Sequence, residues 1–262
     1  GLLGARWVNN YLVSIEEDID GDLLYLNNDG VDCHSDALEI GESWYDNDEE
    51  IYWSRESDSH LNIRNKDFVQ WSFERINERS SLYRLYQIHD RHGNKIELKY
   101  NLLGHLSLLS NNLFDLFFEH DEQGRISRIW HYVAASETAP KTERTLAQYE
   151  YDAAGDLVQS LDEYQGKNTY RYEHHLLTYY SDKTGRGTHL AWDGTHSDAR
   201  CIREAADDGM FAIQLAWDDE AQICKVTDGL GLSTHYHYND DNYNIAEYYP
   251  DGSRILIERD EF

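Results

Sequence analysis

Apolar and polar residues alternate in short runs along this chain, with aromatic and β-branched side chains recurring at alternate positions, while long stretches of helical spacing are hard to find. That pattern predicts many short antiparallel strands and an all-β fold. Between the runs, Asp or Asn is followed three positions later by Gly, at Asp90/Gly93, Asn101/Gly104, Asp121/Gly124, Asp152/Gly155, Asp182/Gly185 and Asp228/Gly231. A single match would mean little, whereas recurrence at this density is a repeat. Asp or Asn opening a type I turn accepts backbone N–H groups two residues on, and Gly supplies the left-handed residue that closes the hairpin through a bulge. Each match therefore predicts a hairpin tip. The apolar residues that follow, Ile96, Leu106, Ile126 and Leu157, are expected to begin the buried face of the returning strand. Asn242 stands at the glycine position after Asn239 and tolerates the left-handed region, whereas Ala221 after Asp218 is the less comfortable substitute.

Paired tyrosines at alternate positions, Tyr149 and Tyr151, Tyr170 and Tyr172, Tyr236 and Tyr238, precede several tips. With a period of two, each pair points to one side of its sheet, where stacking across strands contributes about 0.5–1.5 kcal/mol per ring pair beyond area burial. The segment 134–145, which contains Pro140, lacks strand character. It divides the chain into residues 1–133, with less regular strands and the cluster Trp44, Trp53 and Trp71, a loop over 134–145, and a repeat-rich segment over 146–262.

Composition narrows the function. Fifty acidic against 23 basic residues give a formal charge of −27, which argues against nucleic acid or anionic lipid as a partner and makes a cationic one the natural counterpart. A solvated exterior is the favoured reading of this acidity, ahead of a lining that holds cationic cargo. With 20 Tyr, 7 Trp and 7 Phe the chain is too aromatic to be disordered. Cys33, Cys201 and Cys224 show neither disulfide nor zinc spacing and read as small apolar residues of a chain made in a reducing compartment. No stretch is long and apolar enough for a membrane helix, and no signal peptide is visible at Gly1, where the chain reads as if it starts mid-sheet.

Candidate chemistry is sparse. Asp18, Asp20 and Asp22 with Asp29 imitate a calcium loop, but Gly21 is misplaced for one and an acidic hairpin turn explains the pattern. His235 and His237 alternate on a strand and could share a metal with Asp240 or Asp241, yet a third ligand is missing, so cross-strand packing is expected. His174 and His175 are adjacent and on a strand would face opposite sides. Carboxylates are too abundant to single out a glycosidase pair, and no GxSxG, P-loop, HExxH or GxGxxG stands in its required context. Neither catalysis nor a cofactor is expected.

The stretch YEYDAAGDL at 149–157 resembles the repeat for which YD-repeat proteins are named, and WDGTHSDARCIREAADDG at 192–209 resembles a segment of the Rhs core of bacterial polymorphic toxins. The likeness continues through VTDGLGLSTHYHYN at 226–239 and YYPDGSRILIERDE at 248–261, and upstream through GLLGARWVNNYLVSIE at 1–16. The resemblance implies repetitive antiparallel hairpins winding as a curved, spiralling sheet into part of a hollow shell around a C-terminal toxin domain, with this chain as an N-terminal portion of the core. It further implies partnership with the rest of the core, the toxin and a secretion-system spike or chaperone, synthesis in the bacterial cytoplasm, and export by a dedicated machine such as type VI secretion. The family's DPxG self-cleavage signature is absent and no toxin region follows Phe262, so a segment that neither cleaves itself nor kills is expected. The alternative is a binding module whose exposed rings recognise carbohydrate or a cell-surface protein.

Overall fold

In a computed structural model, residues 3–5, 7, 10–27, 32–133, 141–240 and 242–258 are described. Among them every regular element is a β-strand and every resolved strand pairing is antiparallel. The chain forms two compact units, residues 1–149 and 150–262.

The first unit contains β1 (Ser14–Glu17), β2 (Leu23–Leu26), β3 (Asp32–Ser35), β4 (Ser43–Asp46), β5 (Ile51–Ser57), β6 (His60–Asn65), β7 (Gln70–Arg75), β8 (Leu82–His89), β9 (Lys95–Tyr100), β10 (Leu106–Ser110), β11 (Asp115–His120), β12 (Ile126–Val133) and most of β13 (Thr142–Tyr151). Strands β4 to β8 form a meander. Then β8 branches: its first half pairs with β1 and its second half with β9. Register places Trp44, Trp53, Ile63, Trp71, Ile88 and Ile96 in one row across six strands. Trp53 at the heart of that row is fully buried, as are Ile15, Phe73, Tyr83 and Leu85. Full burial of such side chains stabilises by about 1.5–3 kcal/mol each, so this unit has a real core. Tyr25 meets Trp53 and Phe73 edge-on, with centroids at 6.3 and 5.8 Å.

The second unit is an uninterrupted meander of β14 (Leu157–Asp162), β15 (Lys167–Glu173), β16 (Leu176–Ser181), β17 (Gly187–Trp192), β18 (Cys201–Ala206), β19 (Ile213–Asp218), β20 (Ile223–Thr227), β21 (Ser233–Tyr238), β22 (Asn244–Tyr248) and β23 (Arg254–Leu256), each paired with the next. It has no comparable core. Its described buried apolar residues are Leu157, Leu176, Ala199, Ala205, Cys224 and Ala246, half of them alanines. Strands such as β21 are half-exposed at every position, the signature of a single layer with solvent at both faces.

One boundary needs correction. Residues 134–140 lie outside the described residues, but Thr142–Thr145, expected in a loop, form the start of β13 and pair with Trp130 to Val133 of β12. Polar side chains at 142–144 hid a strand whose β-branched threonines suit an exposed sheet position.

Candidate functional site

The repeated chemical feature is the hairpin tip. At Asp152, the carbonyl accepts the Gly155 N–H (3.1 Å), the N–H donates to the Asp156 carbonyl (3.0 Å), and Oδ1 accepts from the N–H groups of Ala154 and Asp156, both at 2.9 Å. The side chain thus takes the donor that the bulge leaves without a ladder partner. The same bonds recur at Asp90, Asn101, Asp121, Asp182 and Asp228. Gly93, Gly104, Gly124, Gly155, Gly185 and Gly231 all have φ between +80° and +94°. Of the apolar residues after the tips, Leu106, Ile126 and Leu157 are buried and Ile96 is half-buried.

Six more loops share these backbone bonds, starting at Asp18, Asn65, Asp162, Ala206, Asn239 and Tyr249. The Asp18 loop is the acidic segment that imitates a calcium site, and Asp18 Oδ1 accepts from Asp20 and Asp22 as an ordinary tip does. Asp29 lies outside the described residues. Four of these loops escape a sequence search because one signature residue is missing. Phe68 (φ 63°) and Gln165 (φ 66°) occupy the glycine position, while Ala206 and Tyr249 replace the Asx residue. After Asp218 the expected strain at Ala221 does not arise, because the loop lengthens and moves the positive φ to Gln222 (54°).

The histidines also differ from expectation. His174 and His175 are not on a strand: they form the two-residue link between β15 and β16, with φ of 52° and 62°, as a type I′ hairpin turn requires. His175 Nδ1 lies 2.8 Å from the buried carboxylate of Asp156. His235 and His237 do share a face of β21, and the His237 ring packs 5.0 Å from Tyr248. Among the described residues no three His, Cys, Asp or Glu side chains gather as a metal-binding group; Asp241 is not among them. None of Cys33, Cys201 and Cys224 is in a disulfide. Burial pushes the Cys33 thiol up to about 12, with Glu49, Asp46 and Asp32 adding to the effect.

The six repeat tyrosines are half-buried on β13, β15 and β21. Cross-strand ring contacts also recruit other aromatics: Phe117 stacks on Trp130 with centroids 4.4 Å apart, while Tyr45 with Tyr52 (4.5 Å) and Tyr179 with His189 (4.8 Å) meet at a tilt. Two indoles fasten neighbouring strands, Trp192 to the Leu177 carbonyl (2.8 Å) and Trp217 to the Cys201 carbonyl (2.9 Å).

One charged cluster in the first unit has no sequence signal at all. Glu17 accepts from Arg55 (2.5 Å), from Arg75 and from the Tyr83 hydroxyl (3.0 Å), with its partners 38, 58 and 66 positions away. The Glu17 and Arg55 side chains are only 14% and 7% exposed. Burial pushes the Glu17 carboxyl up, but the bonds and charges of Arg55, Tyr83 and Arg75 outweigh it and hold the group below its ordinary value. Two guanidiniums share this one carboxylate, Arg75 also donating to the Asp58 and Ser80 carbonyls, and the cluster clamps β1, β5, β7 and β8 together.

The second unit carries a cleft of about 500 Å³ lined by Arg200, Trp217, Asp219, Tyr236, Tyr238 and Asn244 among others. Arg200 forks onto both Asp219 oxygens (2.5 and 3.0 Å) and lies over the Trp217 ring. That pair ties the long 193–200 excursion to the tip after β19.

No family model matches the chain. It is similar to the probable deoxyribonuclease RhsB of Dickeya dadantii, at 23% identity over 100% of this chain and 18% of that protein. It is likewise similar to the probable deoxyribonuclease RhsA of the same organism, at 22% identity over 92% of this chain and 16% of that protein. The chain therefore spans less than a fifth of either relative. Among solved structures, the crystal structure of TcdB2-TccC3-TEV aligns with 87% of this chain and 15% of its own at 11% identity, TM-score 0.35, and the Photorhabdus luminescens Tc holotoxin pore with 94% and 18% at 10% identity, TM-score 0.31. The strand succession and the Asx-glycine tips define a protein built as an antiparallel sheet of repeated hairpins. Along nearly its whole length this chain is similar to those Rhs proteins, at 22–23% identity.

Proposed function

We propose that the chain is a wall segment of an Rhs-type shell and helps to confine a toxin domain for delivery into a target cell. The observation that carries this reading is the second unit: a ten-strand meander only one layer thick, half-exposed on both faces and pinned by repeated tips. A free-standing globular domain needs two packed layers around a core. A wall does not, since one face meets solvent and the other meets contents. In this reading the chain is not catalytic; nuclease activity in the names of its relatives belongs to those proteins, of which it spans a small share. Export and the secretion-system partner remain part of the proposal.

The test is limited proteolysis of the intact gene product with the toxin domain that accompanies it. Shell confinement predicts that the toxin domain survives protease while the wall is intact and is degraded once denaturant opens it. Degradation of that domain at the same rate as when it is produced alone would contradict the reading.

The cleft beside Trp217, with two tyrosines and an amide, favours a second reading as a carbohydrate-binding module. A glycan array that binds wild type and goes blank in Trp217→Ala would support it.

A further inference from the structure

The register of the second unit reveals a charge arrangement that the net charge conceals. Directly paired residues of an antiparallel sheet point to the same side, and positions two apart along a strand share that side. The pairings Arg171 with Tyr179, Tyr179 with His189, Ala191 with Arg203, Arg203 with Gln214, Ala216 with Lys225, Lys225 with His235, His235 with Tyr248 and Tyr248 with Arg254 form an unbroken series from β15 to β23. Lys167, Arg171, Arg203, Lys225 and Arg254, all the lysines and arginines within these strands, therefore lie on one face. All five are exposed.

Lys225, His235, Tyr248 and Arg254 are successive neighbours in one cross-strand row spanning about 14 Å at the usual strand spacing. Lys225, Arg203 and Arg254 have no carboxylate partner among the described residues. The carboxylates on this face are marginal: Glu173 and Asp218 end their strands, and Asp207 reaches in to His189 at 2.9 Å. Glu204 and Glu247 point to the opposite face. Most of the acidity of this unit sits at hairpin tips. Placing Lys225 directly opposite His235 is unfavourable whenever the imidazole is charged, unless an anion lies between them.

We propose that this face is a docking surface for an acidic polypeptide segment, with Lys225, His235 and Arg254 at its centre. Charge complementarity selects the occupant. A short carboxylate-rich segment fits within the strand rows, whereas a long nucleic acid strand would run past the acidic tips and be repelled. The tip carboxylates Asp228 and Asp251 stand three positions beyond Lys225 and Arg254, roughly 10 Å for an extended strand. At physiological salt the screening length is about 8 Å, so the row acts locally while repulsion from the rest of the protein is muted. Affinity should therefore peak at intermediate salt and fall both near zero salt and near 1 M. This inference does not depend on the shell reading.

The experiment is fluorescence anisotropy of a labelled hexaglutamate peptide with the 262-residue chain near 0.15 M salt. Parallel arms use labelled hexalysine and a single-stranded hexanucleotide. Hexaglutamate should bind more tightly than either. The double variant Lys225→Ala/Arg254→Ala should bind it about tenfold more weakly, and Lys66→Ala/Arg186→Ala, with two cations removed elsewhere, should bind it as wild type does. Circular dichroism and unchanged intrinsic tryptophan fluorescence verify that the variants are folded. Absence of hexaglutamate binding, equal loss in both double variants, or tighter binding of the oligonucleotide or of hexalysine overturns the proposal.

Discussion

Asp152 and its counterparts hold their hairpins by accepting two backbone N–H groups with one carboxylate oxygen. Asp152→Ala orphans both donors and should cost about 1–2 kcal/mol in urea denaturation; Asp152→Asn, which keeps the acceptor, should cost less. The bonds to Thr184 and Arg186 hold the Asp182 carboxyl down at about 2. A depressed carboxylate contributes stability above its unfolded value and loses it as pH falls through the folded one, so this tip should persist to about pH 2 when followed by NMR. At Phe68 the chain pays for a left-handed residue without glycine. Phe68→Asn should raise stability by about 0.5–1 kcal/mol in thermal or urea unfolding, and a loss would show that the Arg64 contact to the Phe68 ring outweighs backbone strain. Tips were legible because Asx and Gly signal their geometry directly. The Phe68, Gln165, Ala206 and Tyr249 loops were not, because a bulge needs its backbone shape and not any one side chain.

Among elements, the ion cluster joining β1, β5, β7 and β8 is the most sensitive point of the first unit. Glu17→Gln leaves Arg55 buried without its counter-charge and should destabilise by about 3–5 kcal/mol, whereas Glu17→Met with Arg55→Met should recover much of the loss. Because the Glu17 carboxyl is held below 4.5, its contribution is complete above that pH and disappears as pH drops through the lowered value. Thermal melts of wild type and Glu17→Gln should converge in strong acid. Strand periodicity is local and can be read from the chain, and so the strands themselves were expected. Partners 38 to 66 positions apart are set by the branching of β8, which periodicity does not encode. The cationic face was hidden for the same reason: net charge counts residues, while register decides which side they share.

For the whole molecule, the contrast between a cored first unit and a one-layer second unit makes a prediction about local stability. Hydrogen exchange should show the strongest protection in β5 to β8 around Trp53 and Phe73, and weaker protection through β15 to β22, where few apolar side chains cover the ladder. Strand β23 pairs on one side with β22 and exposes Ile255 and Leu256, an edge that invites another strand. The central claim, that this sheet is a piece of wall, is tested most directly by a cryo-EM map of the intact gene product. The account predicts that the free side of β23 is hydrogen-bonded to a further strand and that residues 150–258 line a closed volume containing additional protein density. A map in which β23 is a bare edge and the sheet encloses nothing would contradict it.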